Sequence, residues 1–98
     1  MFSYKIFKEQ GETLLAIADD SIVGEKFEDG DTEIFVSEAF YSENKCSEGD
    51  VAKLLGEATI VNAVGKDIIS LMIKENIIDE SKVLEICGIP HAQIVVIK

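Results

Sequence analysis

The residues of this chain best equipped for chemistry lie close together near its C-terminal end. Residues 87–93 read CGIPHAQ and hold the only histidine, the only proline and one of the two cysteines. Nucleophilic catalysis needs a thiol or hydroxyl within hydrogen-bond reach of a base that a third group orients. Cys87 precedes His91 by four residues, a spacing that does not by itself bring the two into contact on a hairpin. No nucleophile motif such as GxSxG occurs. A histidine titrates near neutral pH in any setting, so His91 suits a turn, a binding contact or proton transfer alike. Asn62 is the second polar residue of interest, because it stands inside the apolar run IVNAV, residues 60–64. A carboxamide at or near a core must find hydrogen-bond partners. The plainer expectation is that it caps a helix start or bonds a turn. The sharper one is a binding site shared by Asn62, His91 and Gln93, with Gly65 and Gly88 allowing close backbone approach and Pro90 fixing φ at the corner. Those six residues form the candidate binding set, and no catalytic residue is assigned.

Other motifs fail on their own terms. VGKD, residues 64–67, contains the Gly-Lys of a phosphate loop, but Ile60 stands where the first glycine belongs and Asp67 replaces the Ser or Thr. The acidic stretch EKFEDGD, aligned on Gly30 as a calcium loop, puts Phe27 and Val36 at positions that require oxygen ligands. Loose cation binding among Glu28, Asp29 and Asp31 is all this turn offers. Cys46 and Cys87 make neither a CxxC pair nor a zinc spacing, and are expected as reduced thiols, one in a loop and one half-buried in a strand. No metal and no cofactor is assigned.

Composition narrows the partners. Nineteen acidic residues face nine lysines and no arginine, for a net charge of −10. Nucleic-acid binding runs on phosphate neutralisation, and arginine is the usual reader of guanine, so direct nucleic-acid binding is disfavoured. Anionic membrane surfaces are disfavoured by the same argument. A basic protein partner fits better. No apolar run reaches the 18 or more residues of a membrane span, and MFSYKIFKEQGE lacks the features of a signal peptide. A cytoplasmic protein is expected, with residues 1–98 forming one domain.

These residues must be positioned by a mixed α/β chain. SYKIFK and TLLAIA alternate as strands around a turn at Gly11, and Asp19-Asp20 introduces a brief helical turn that Gly24 ends. EDGD is a turn before the strand TEIFVS. EAFY forms one helical turn and SENKCSEGD an exposed loop. Ser47 and Asp50 resemble a capping box, followed by the stripe Val51, Leu54, Leu55 and Ala58. A second helical stripe runs through Ile60, Val64, Ile68, Leu71 and Met72, with a break or close contact at Gly65 and a left-handed end at Asn76. KVLEIC is then a strand, GIPH a turn and AQIVVIK an interior strand covered on both faces. The sum is an α+β fold of order β-β-β-α-α-β-β, a mixed sheet of about five strands with two main helices packed on it.

Two runs carry a family resemblance. Ala58, Asn62 and Gly65 match an Ala-x-x-x-Asn-x-x-Gly pattern, and residues 88–93, GIPHAQ, match Gly-[Val/Ile]-Pro-His-Ala-Gln. Together with GEKFEDGD and VSEAFY they make the chain resemble domain-of-unknown-function family 424, a family of small archaeal proteins. Asn76 stands where that pattern commonly has Gly, and either residue supports a left-handed helix end. The resemblance implies an intracellular archaeal protein with no established activity, loosely associated with the translation apparatus. The function expected is therefore a non-catalytic interaction module, accessory to translation, that binds a ribosomal or factor protein. The alternative is a small-ligand or enzymatic site at Asn62, His91 and Gln93. A homodimer that pairs sheet edges is a third expectation.

Overall fold

The computed structural model describes residues 1–96. Strand β1 (Phe2–Glu9) returns through a tight turn into β2 (Glu12–Asp19). Both turn residues, Gln10 and Gly11, take positive φ, the geometry whose twist matches a two-residue hairpin. A short 3-10 turn (Asp20–Ile22) leads to a separate hairpin of β3 (Lys26–Asp29) and β4 (Thr32–Phe35). Next come the single-turn helix α1 (Glu38–Tyr41), the short strand β5 (Asn44–Cys46) and helix α2 (Glu48–Glu57). Strand β6 (Ile60–Val64), helix α3 (Lys66–Lys74), a 3-10 turn (Glu80–Lys82) and the hairpin β7 (Leu84–Ile86) with β8 (Ile89–Val95) complete the described chain.

Six strands form one sheet in the order β5-β1-β2-β6-β8-β7, antiparallel except where β2 and β6 run parallel. The α+β mixed sheet expected from sequence is thus found, with six strands and three helices. Alternation along the strands sorts side chains to two faces. Leu15, Ile17, Val61, Ala63 and Ala92 point to the face covered by α2 and α3, where they meet Val51, Leu55, Ile68 and Met72. The other face carries a smaller core of Ala16, Ala18 and Val64 beneath Val36 and Tyr41. Alanine at two successive inward positions of β2 lets the aromatic end of α1 come down on the sheet.

Several local expectations hold in detail. Ser47 and Asp50 form the capping box of α2. Asn76 takes φ 58° and the Ile77 N–H reaches back to the Met72 carbonyl at 2.9 Å, the six-to-one bond of a left-handed helix end.

Other expectations are corrected. Residues 60–64 are a strand: Ile60 and Val64 fit a helical spacing, but pairing with β2 and β8 on both sides decides for β. The segment before TEIFVS contributes β3, and the presumed loop after α1 contributes β5. Cys46 is therefore buried in a strand, while Cys87 sits in a turn at φ 56°. Both cysteines are free. The final turn is Cys87-Gly88, not GIPH, and Pro90 lies within β8. Its missing N–H leaves no orphan across the sheet, because the Gly65 carbonyl that would face it accepts from Ile69 N–H in α3. Strand β8 is interior only where β7 flanks it, and it is not covered on both faces: Gln93 and Val95 are exposed. The expected strand extended over Ile97 and Lys98, which lie outside the described residues. No helix among the described residues is long and apolar enough to cross a membrane.

Candidate functional site

Strand pairing lays the second face out in rows. One runs Lys5, Ala16, Asn62 and Gln93, the next Ser3, Ala18, Val64, His91 and Leu84, and a third Phe7, Leu14, Ile60 and Val95. Asn62 and Gln93 are thus direct cross-strand neighbours, and His91 is one row away on the same face. The Asn62 carboxamide oxygen accepts a hydrogen bond from the Tyr41 hydroxyl at 2.6 Å and stands 3.2 Å from His91 Nε2. A carboxamide oxygen only accepts, so the imidazole carries its proton on Nε2 and keeps Nδ1 as an acceptor.

The surroundings set the protonation of the trio. Tyr41 is 6% exposed, and burial pushes its phenol up to about 12. Burial also lowers His91 below its ordinary value, so the ring is neutral at pH 7. General acid–base catalysis wants a group poised near the working pH with a transferable proton. Tyr41 is far from that range and already spends its proton on Asn62. The arrangement ties α1 to the sheet and leaves the exposed Gln93 beside the half-buried His91 on the same face, a surface for hydrogen-bonded contact.

The lowered His91 value has a stability consequence. The unfolded chain takes up a proton near pH 6.5 and the folded chain at a lower pH. This group's contribution is complete above pH 6.5 and is lost as pH falls through the folded value. Denaturant titrations are expected to show stability declining between pH 7 and pH 5, with the slope reduced in His91→Gln. An identical slope in the variant would place the titrating group elsewhere. Asp19, raised by burial, works in the opposite direction at lower pH.

The remaining sequence candidates have backbone duties. Gly65, at φ 125°, starts α3, and a Cβ there would lie 2.4 Å from the Asp19 carboxyl carbon. That carboxylate accepts from the N–H groups of Asp67 and Ile68, each at 2.9 Å, and so caps the helix. Gly88 takes φ 77° in an open turn where a Cβ would meet nothing. Pro90 faces the helical side and borders a cavity of about 520 Å³ with Ile69, Ile73 and Val83. Neither Asn62 nor His91 lines that cavity. The structure therefore brings Asn62, His91 and Gln93 together and leaves Gly65, Gly88 and Pro90 outside the cluster.

Sequence reasoning missed Tyr41 and Asp19. Tyr41 had no periodic signal within a four-residue helix, and Asp19 read as the cap of the turn that follows it rather than of a helix 48 residues on. The cysteines are poor nucleophiles, since burial and the carboxylate of Asp50 raise Cys46, and desolvation with Asp29 and Glu28 raises Cys87. Glu28 is engaged with Lys26 at 3.0 Å. Among the described residues no group of three or more His, Cys, Asp or Glu stands placed to hold a metal ion.

Comparison with known proteins adds fold and family. The chain is similar to the crystal structure of an uncharacterized conserved protein from Methanopyrus kandleri, at TM-score 0.81 and 24% identity, over 95% of this chain and 89% of that one. At that identity the likeness concerns the fold. No curated protein matches the chain. A family model described as a protein of unknown function, DUF424, matches residues 7–97, and with nearly the whole length matched the chain belongs to the DUF424 family.

Proposed function

We propose that the protein is a non-catalytic docking module that binds a basic protein partner on the uncovered part of its second sheet face. One observation carries the reading. The row Leu14, Ile60 and Val95 is an apolar stripe outside both cores, and Val95 at its end is 72% exposed; Leu84, two rows away on the same face, is 65% exposed. An exposed apolar surface with polar neighbours such as Gln93 and His91 is the usual composition of a protein contact. The net charge of −10 favours a basic partner, and the association with translation implied by the family resemblance makes ribosomal and factor proteins the first to test.

The experiment compares the immobilised protein with its Val95→Asn/Leu84→Asn variant in nuclease-treated archaeal lysate. A basic protein retained at low salt, released as salt rises and lost on the variant is expected. Retention that disappears with nuclease, or that the variant leaves unchanged, would overturn the reading.

A second reading has the 3.2 Å approach of His91 to Asn62 in its favour. A small ligand with hydrogen-bonding groups would then sit on Asn62, His91 and Gln93, and the docking variant would leave its binding intact.

A further inference from the structure

We propose that a short extended segment of the basic partner joins the sheet as a further strand along the open edge of β8. The inference rests on the docking reading above and specifies how contact is made.

The backbone directions in β8 follow from two hydrogen bonds. Val96 N–H donates to the Thr59 carbonyl at 2.7 Å, and the Pro90 carbonyl accepts from Gly65 N–H at 2.9 Å. Residues 90, 92, 94 and 96 therefore turn their backbone groups toward β6, and residues 89, 91, 93 and 95 turn theirs the other way. On that side β7 pairs Ile86 with Ile89 and Leu84 with His91. No strand among the described residues lies beside Gln93 and Val95, so their N–H and C=O groups point out from an open edge. Such an edge is a template for an added strand.

A groove runs along the same edge. It holds about 460 Å³ between Ile94 and Val96 on one side and Ile77, Ile78, Asp79 and Lys82 on the other. That volume falls in the range of sites that seat small ligands or a few side chains. The edge thus offers main-chain partners and an apolar trough for alternate side chains of an incoming strand.

Charge decides the occupant. The chain as a whole carries a net charge of −10. Asp79 lines the groove itself, and Glu80 and Glu85 border the neighbouring hollow beside Pro90, with Lys82 as the opposing charge. A second copy paired edge to edge would bring these carboxylates against one another. A segment of two or three β-branched residues flanked by lysine or arginine meets both requirements.

The test uses the blocked peptide Lys-Lys-Val-Ile-Val-Lys-Lys and the same peptide N-methylated at its three central residues, which keeps charge and side chains but removes the ladder donors. Binding to the intact protein is followed by amide NMR shifts and hydrogen exchange at Gln93 and Val95. The unmethylated peptide is expected to slow exchange of both amides at least tenfold and to bind at least tenfold tighter than the methylated one. Val95→Pro is expected to weaken it at least tenfold, since the N–H it removes faces outward and serves no internal pairing. Equal binding of both peptides, no binding, or full binding to Val95→Pro would overturn strand addition. A free protein that is dimeric and becomes monomeric in Val95→Pro would assign the edge to a second copy and also overturn it. Should the peptide fail while a basic protein is still lost on Val95→Asn/Leu84→Asn, docking stands and strand addition falls. Failure of both removes both.

Discussion

Replacing Gly65 with alanine is expected to cost about 2–5 kcal/mol of folding stability, combining backbone strain with damage to a helix cap. At φ 125° and ψ 151° the residue occupies a region that side chains avoid. The added Cβ would also lie 2.4 to 2.7 Å from three atoms of the Asp19 carboxylate. That carboxylate cannot simply retreat, because each oxygen receives one N–H from the first turn of α3. Relaxing the contact breaks the cap, and keeping the cap retains the clash. Against a typical domain stability of about 5–15 kcal/mol this is a large loss, readable as a shifted denaturant midpoint. Gly56→Ala serves as the control: the position is helical, a Cβ there would meet nothing, and the change is expected to stabilise by about 0.5–1 kcal/mol. Asp19→Ala should cost less in the Gly65→Ala background than alone, since the first substitution has already disturbed the cap. Simple additivity, or a Gly65→Ala cost below about 1 kcal/mol, would show that the two residues are not coupled in this way.

The same junction shows how far sequence could reach. A break at Gly65 was legible, because glycine is costly inside a helix. Its cause was not, since the carboxylate it accommodates lies 46 positions earlier in the chain. The capping box at Ser47 and the left-handed end at Asn76 were readable because both partners of each motif are local. Residues 60–64 misled for a physical reason. A short apolar run satisfies helical and strand periods alike, and only the pairing of Ile60 with Leu14 and Val95 settles it. The same applies to β5, whose three residues carry little pattern and are held by Phe2–Tyr4. At the candidate site, the polar residues were identifiable as out of place, and Asn62 and His91 do meet. Tyr41, which completes the trio, enters through α1 packing on Ala16 and Ala18, a contact with no local signature.

Asn62→Leu is the second large effect, and its sign separates a structural trio from one retained for binding. The side chains are similar in size, so the change chiefly removes an acceptor. The buried Tyr41 hydroxyl then loses its partner at 2.6 Å, and His91 Nε2 loses its own. A buried donor left unpaired costs about 1–3 kcal/mol, whereas removing both partners together is nearly neutral. Asn62→Leu is therefore expected to destabilise by about 2–3 kcal/mol, given that His91 is only half-buried and can turn to water. Tyr41→Phe in that background should recover a substantial part, giving a coupling of about 1–2 kcal/mol in the double-mutant cycle. Additive losses would mean that the Tyr41 bond contributes nothing beyond packing. A stabilising Asn62→Leu would point the other way altogether. Polar groups that cost stability persist where function needs them, and the small-ligand reading of Asn62, His91 and Gln93 would then displace the docking one.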